Sequence, residues 1–260
     1  MGRRNVRSPV VSTAPPNCPC GSDDLRPPGR WAPYWTCAEC GSGITVLRSD
    51  EDHYWTGGVE PSSEQHAFWG GRDRQWTSLI GTGPGRLLDV GAGFGHFVRW
   101  ALDHGWDAWG CEPDPWARER SVAAGRVVAD LDDIRPPFDV ITLWDVLEHS
   151  ADPVPLASSL RPLLRSGGRI VVDSPNFAAM KLRWWWLRRD PQRFRDVIRP
   201  HEHVTQFSEA GVHRTLARAG FTELTTLHPP LSHGESRLLD TLVRLVPALR
   251  QGLFVRGIAP

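Results

Sequence analysis

The 260-residue chain lacks an excess of either charge: 30 Lys+Arg balance 30 Asp+Glu, giving a net charge of zero and a pI near 7.2. That balance argues against a general nucleic-acid binder, which carries a strong basic excess. Lys181 is the only lysine, so the positive charge is almost all arginine. No apolar run approaches the roughly 18 residues that cross a bilayer. The N-terminus, Met1 to Arg7, is basic, but Ser8 to Pro16 supplies no apolar core for a secretory signal. The expected location is therefore the cytoplasm. Tyrosine and methionine are scarce, at 2 each, whereas there are 13 Trp, 23 Pro and 25 Gly. With 40% hydrophobic and 23% charged residues the composition is that of a globular chain, which excludes disorder throughout. At about 100–200 residues per domain, the length fits one ordinary domain with a small accessory, or two small domains.

Cysteine is also sparse, yet four of the 5 fall within the first forty residues: Cys18, Cys20, Cys37 and Cys40. Paired cysteines in a reducing compartment hold metals more often than they form disulfides. Each pair precedes a glycine, Gly21 or Gly41, which lets the backbone turn tightly enough to aim N–H groups at sulfur. Two such knuckles close a tetrahedral four-thiolate zinc site. With four protein ligands no coordination position stays open, so the role of the zinc is structural. The first pair is C-x-C rather than C-x2-C, which demands a tighter turn. The alternatives are four free thiols or a ribbon that has lost its metal.

Arg86 to Val90 is a short apolar run that ends in Gly91-Ala92-Gly93-Phe94-Gly95, and His96 to Leu102 follows with helical periodicity. The pattern is strand, glycine turn, helix, which brings backbone and a helix N-terminus close to a ligand. A second strand, Ala108 to Glu112, ends in a carboxylate that can accept both hydroxyls of a ribose. The turn is G-x-G-x-G rather than G-x-G-x-x-G, and Asp89 sits beside it. An acid there repels phosphates and suits a ligand that carries an amine and a sulfonium.

Further runs follow in order: Phe138 to His149, Leu163 to Val172, Ser174-Pro175-Asn176, and His201 to Phe207 with Gly220-Phe221. Together with Leu88 to Gly95 and Glu112-Pro113-Asp114, this series resembles the class I S-adenosylmethionine-dependent methyltransferases over residues 60–260. It is most similar to the subgroup containing the ubiquinone-biosynthesis O-methyltransferases. Some similar proteins also begin with a four-cysteine zinc ribbon. The resemblance implies an α/β, Rossmann-like, doubly wound sheet of seven mostly parallel strands. It divides the chain into a flexible tail (1–16), a zinc ribbon (17–50) and a methyltransferase domain (60–260), with 177–205 as a lid insert. Strands read at 86–90, 107–112, 126–129, 138–144, 168–173, 221–228 and 252–259. Helices read at 62–80, 95–104, 115–124, 151–165, 208–219 and 235–249.

The resemblance also implies S-adenosylmethionine as cofactor beside the structural zinc. Its binding set is Asp89, Gly91, Ala92, Gly93, Gly95, Glu112, Asp130, Leu131 and Trp144. In this arrangement Glu112 takes the ribose, Asp130 and Leu131 meet the adenine, and Trp144 forms a wall. Candidate bases are His149, His201 and His203, because imidazole titrates near neutral pH. Asp145, Glu148 and His149 stand at i, i+3 and i+4, on one face if they form a helical turn. A similar set is linked to a divalent metal in the ubiquinone-type relatives, and the three residues equally suit a helix cap with a packed histidine.

The stretch 181–199 holds seven positive residues, two acids and four aromatics. It reads as an acceptor lid first, or as an anion clamp, a helix making peripheral membrane contact, or a solvated helix whose Trp residues pack on the domain. The expected function is methylation of a small-molecule acceptor, at a hydroxyl, in natural-product or surface-glycan biosynthesis. Two rivals remain. One is an RNA methyltransferase gripping RNA with the ribbon, although 17–47 holds only two basic residues, Arg26 and Arg30. The other is a non-catalytic cofactor-binding partner subunit.

Overall fold

The computed structural model describes residues 10–11, 17–29, 34–45, 47–48, 61–187, 203–230, 250 and 252–260, with backbone alone at 10–11, 47–48 and 183–187. Two strands, β1 (Val10–Val11) and β5 (Leu47–Arg48), pair antiparallel. Between them lie β2 (Leu25–Arg26), β3 (Tyr34–Cys37) and β4 (Gly43–Thr45). Next come α1 (Ser63–Gly70), α2 (Asp73–Ile80), β6 (Arg86–Val90), α3 (His96–Asp103), β7 (Asp107–Cys111), α4 (Pro115–Glu119) and β8 (Val127–Val128). They are followed by β9 (Phe138–Trp144), α5 (Pro153–Leu160), β10 (Leu164–Pro175), α6 (Phe177–Leu187), β11 (Thr205–Gln206), α7 (Glu209–Arg218), β12 (Thr222–Leu227) and β13 (Gly252–Ile258).

The main sheet has the order β12-β13-β10-β9-β6-β7-β8. Strands β10, β9, β6, β7 and β8 pair in parallel, whereas β13 runs antiparallel to both β10 and β12. This is the α/β, Rossmann-like arrangement implied by the resemblance, mostly parallel with an antiparallel last strand. Both faces are buried, and the two-residue period of a strand sorts its side chains between them. Leu88, Ile141, Val172 and Val255 enter one core with α5 and α7 residues such as Leu160 and Leu216. Their neighbours Leu87, Val140, Val171 and Phe254 enter the other with Trp76, Phe97 and Trp100.

All seven strands fall where the sequence predicts them. The helices are shorter. The helix expected over 62–80 is two, because Gly70 and Gly71 adjoin and glycine is costly inside a helix. A capping box starts α1: Ser62 Oγ accepts from Gln65 N, and Gln65 Oε1 accepts from Ser62 N at 2.8 Å. The helix expected over 115–124 ends at Glu119, since Val122 N donates to Phe94 O at 2.9 Å and draws the chain onto the glycine turn. The helix expected over 235–249 lies outside the described residues, as do the tail 1–9, residues 188–202 of the lid insert and the membrane-contact reading of that stretch.

A second, four-stranded sheet has the order β11-β4-β3-β2. Its outer strand β11 comes from the distant end of the chain, after the lid insert. The cysteine segment is thereby built into the main domain rather than strung beside it. Among the described residues no helix is long and apolar enough to cross a membrane.

Candidate active site

Strand β6 is central, with β7 on one side and β9 on the other, so connections diverge at its C-terminal end and leave a crevice there. The glycine turn lies in that crevice. Gly91, Gly93 and Gly95 have φ of +73°, +51° and +73°, which glycine adopts without strain. Gly91 N and Ala92 N donate to Cys111 O at 2.8 and 3.0 Å, tying the turn to β7. Gly93 N donates to Glu112 Oε2 at 2.8 Å, and Asp114 N donates to Glu112 Oε1 at 2.9 Å. The carboxylate is thus fixed in place at the end of β7. Burial raises its pKa, against the lowering effect of the two N–H groups. A Cβ on Gly91 would stand 2.6 Å from Val146 Cγ2, so the cradle requires glycine there.

A cavity of about 430 Å³ opens over this turn. Asp89, Gly91, Ala92, Gly93, Glu112, Trp144 and His149 line it, joined by Trp69, Arg72, Trp76, Phe94, His96, Phe97 and Asp145. Asp89 is buried among apolar neighbours and accepts a hydrogen bond from Thr142 Oγ1 at 2.7 Å. Burial pushes its carboxyl up to about 8, with the Glu112 charge adding to the rise and the Thr142 bond opposing it. Trp144 packs edge-on against Phe97, at 5.0 Å between centroids and 70° between planes. The indole N–H groups of Trp76 and Trp144 and Arg72 Nε are buried with no hydrogen-bond partner among the described residues. All three residues line the cavity, with these donor atoms turned away from its open space. Arg72 Nη1 stands 3.5 Å from the buried Asp173 Oδ2.

After β9 the chain does not form the helical turn that would place Asp145, Glu148 and His149 on one face. Asp145 is left-handed at φ 53°, a conformation costing a non-glycine residue about 1–3 kcal/mol, and only Leu147–His149 form a 3₁₀ turn. Asp145 and His149 face the cavity, while Glu148 is buried at 1% exposure. Burial first, then the charge of Asp145, holds the Glu148 and Asp173 carboxyls well above the usual carboxylate range. His203 packs edge-on to His149, at 4.8 Å between centroids and 82°. The ligand atoms of Glu148, His149 and His203 lie within 4.8 Å of one another. The set able to hold a metal here therefore recruits His203 in place of Asp145.

The four N-terminal cysteines converge, again with ligand atoms within 4.8 Å of one another. Cys18 Sγ lies 3.6 Å from Cys40 Sγ, and Cys20 Sγ 3.6 Å from Cys37 Sγ. Four thiolates at about 2.3 Å from a tetrahedral zinc would be about 3.8 Å apart, so the spacing fits that ion. Cys40 N donates to Cys37 Sγ, and Ser42 N to Cys40 Sγ, both at 3.5 Å. Gly21 and Gly41 turn the knuckles at φ 93° and 76°.

Three expected cofactor contacts stand off the cavity. Gly95 caps α3 and packs on residues 121–123, where a Cβ would meet Ser121 Oγ at 2.2 Å. Asp130 is exposed and caps the 3₁₀ turn Leu131–Asp133 through Asp132 N, and Leu131 packs against the core. His201 lies outside the described residues. Trp69, Arg72 and Trp76 are cavity residues that no local motif marks, since only the fold brings α1 and α2 over the turn, whereas His96 directly follows the glycine turn.

A family profile described as a methyltransferase domain matches residues 64–226. Over 86 residues the chain is 33% identical to the ubiquinone biosynthesis O-methyltransferase of Xylella fastidiosa. That match spans 30% of this chain and 35% of the enzyme, about a third of its length. Among solved structures, an S-adenosylmethionine-dependent methyltransferase from Archaeoglobus fulgidus is similar at 18% identity and a TM-score of 0.51, over 76% of this chain and 94% of that one. The plantazolicin methyltransferase BpumL in complex with SAH is similar at 14% identity and a TM-score of 0.52, over 76% and 87% of the two chains. At these identities the likeness is one of fold. The profile covers most of the chain, and the chain belongs to the methyltransferase-domain family.

Proposed function

We propose that the protein is an S-adenosylmethionine-dependent methyltransferase that methylates a hydroxyl of a small-molecule acceptor, in natural-product or surface-glycan biosynthesis. The observation that carries this reading is the Gly93–Glu112 hydrogen bond at the mouth of a cavity floored by Asp89. The partial match to an O-methyltransferase supports oxygen as the methylated atom.

The cofactor supplies a methyl group on a sulfonium, already activated for in-line displacement. The chain's own part is alignment, which turns a bimolecular encounter into a unimolecular step. Glu112, held by two N–H groups, keeps lone pairs for the ribose hydroxyls. Gly91 and Gly93 would admit the methionine end, with Asp89 beside them in the lining. The aromatic walls exclude water. At the acceptor end, His149, backed by His203, takes the hydroxyl proton as the oxygen attacks. A second reading is favoured by the convergence of Glu148, His149 and His203, which would hold a divalent cation able to acidify an acceptor hydroxyl. We propose zinc, in a structural role, for the four cysteines.

Incubation with methyl-labelled cofactor and a panel of hydroxylated small molecules tests the reading. Label should pass to an acceptor oxygen, and His149→Ala should slow transfer by about 10²–10⁴-fold while retaining cofactor binding. Binding without transfer to any acceptor would favour a partner subunit. Label in RNA would favour the nucleic-acid reading.

A further inference from the structure

Among the described residues, Thr45 joins the cysteine ribbon to the segment that bears His203. Thr45, the last residue of β4, is buried at 5% exposure. Its Oγ1 donates to the carbonyl of His203 at 2.8 Å, and its backbone N–H donates to the carbonyl of Val204 at 2.8 Å. Val204 N donates in turn to Glu148 O at 2.8 Å. Two residues farther on, the ladder continues as Thr205↔Ile44 and Gln206↔Gly43. A single backbone path thus runs from the thiol cluster through β4 to the segment bearing His203, and from there to the turn bearing Glu148 and His149.

The rest of the interface locks this path in register. Ser208 N donates to Ser42 Oγ at 3.1 Å, and Ser208 Oγ donates to Cys40 O. Arg218 Nη1 donates to Pro19 O at 2.7 Å. These bonds hold the ribbon as a whole. The Thr45 hydroxyl bonds His203 itself.

We propose that Thr45 is a positioning residue for His203, fixing its imidazole against His149 and making the ribbon a brace for the acceptor end of the site. The inference rests on the reading of that end given above. The ribbon's contribution is then to place a histidine, rather than to grip an acceptor or a nucleic acid. A hydrogen bond from a buried hydroxyl to a main-chain carbonyl removes freedom from the residue that carries it. In its absence, the His203 carbonyl loses that donor and the segment is freer to shift.

The test uses the full-length protein with ring-15N-labelled histidine, its His203 and His149 signals assigned through His203→Gln and His149→Gln. Thr45→Val keeps the shape of the side chain and removes the donor. It should shift or broaden the His203 signals and leave those of His213, which bonds Thr226 elsewhere, in place. Thr45→Ser should restore the wild-type spectrum. Cysteine-bound metal content should be unchanged in both variants. His203 signals identical in wild type and Thr45→Val would overturn the proposal. Should Thr45→Val not fold, amide exchange in the wild type decides: Thr45 and Val204 amides must exchange together, and a Val204 amide that exchanges while Thr45 stays protected would overturn it. Binding of S-adenosylhomocysteine, measured on the same samples, reports on the cofactor reading separately, because Thr45 does not line that cavity.

Discussion

The Thr142 hydroxyl donates to Asp89 Oδ1 at 2.7 Å across neighbouring strands, and this bond holds a carboxyl under the cofactor cavity in an otherwise apolar layer. Burial outweighs the bond, so the carboxyl is raised to about 8 and binds a proton at neutral pH. The sign for stability follows. Between the ordinary carboxylate range and about 8, the folded state holds a proton that the unfolded state has lost, so stability falls as pH rises through that window. Asp89→Asn should flatten this slope in the ligand-free protein, as read by melting temperature between pH 5 and 8.5.

Cofactor binding should be linked to the same proton. A sulfonium and an ammonium near Asp89 favour its charged form and lower its pKa. Binding at pH 7 should then release a proton, seen as a calorimetric enthalpy that varies with the ionisation enthalpy of the buffer. Affinity should rise toward pH 8 and level off above it. Asp89→Asn should abolish the linkage and weaken binding about tenfold, or about 1.4 kcal/mol. Equal enthalpies in all buffers would contradict this assignment.

Gly91 should tolerate no side chain. Gly91→Ala meets two penalties, a left-handed φ and a Cβ 2.6 Å from Val146 Cγ2. The expected cost is about 1–3 kcal/mol in stability, with a larger loss of cofactor affinity because the turn must move. Thermal melts with and without S-adenosylhomocysteine separate the two effects.

The ribbon should carry one metal ion per chain. Elemental analysis should find zinc in the wild type and little in Cys37→Ser, with a lower melting temperature. A segment with so small a core draws its stability from the ion. A metal-free protein that melts at the wild-type temperature would contradict the structural role.

The strands were legible because buried parallel strands are continuous apolar runs, so Arg86–Val90 and Phe138–Trp144 read as such without help. Helix ends were not, because they depend on tertiary bonds such as Val122 N to Phe94 O. Gly91, Gly93 and Glu112 follow one another closely enough for a local pattern to carry them. The meeting of Glu148 with His203, or of Arg72 with Asp173, has no local signature. Asp130 lies just beyond the end of β8, where it caps the turn Leu131–Asp133.

The most direct test is a calorimetric titration of the purified protein with S-adenosylhomocysteine, alongside Glu112→Ala. One ligand should bind per chain, and the variant should weaken binding by about 1.5–3 kcal/mol, since it removes hydrogen bonds made to a charged group. No binding heat in the wild type in any of several buffers, or equal affinity in the variant, would contradict the assignment of this cavity to the cofactor.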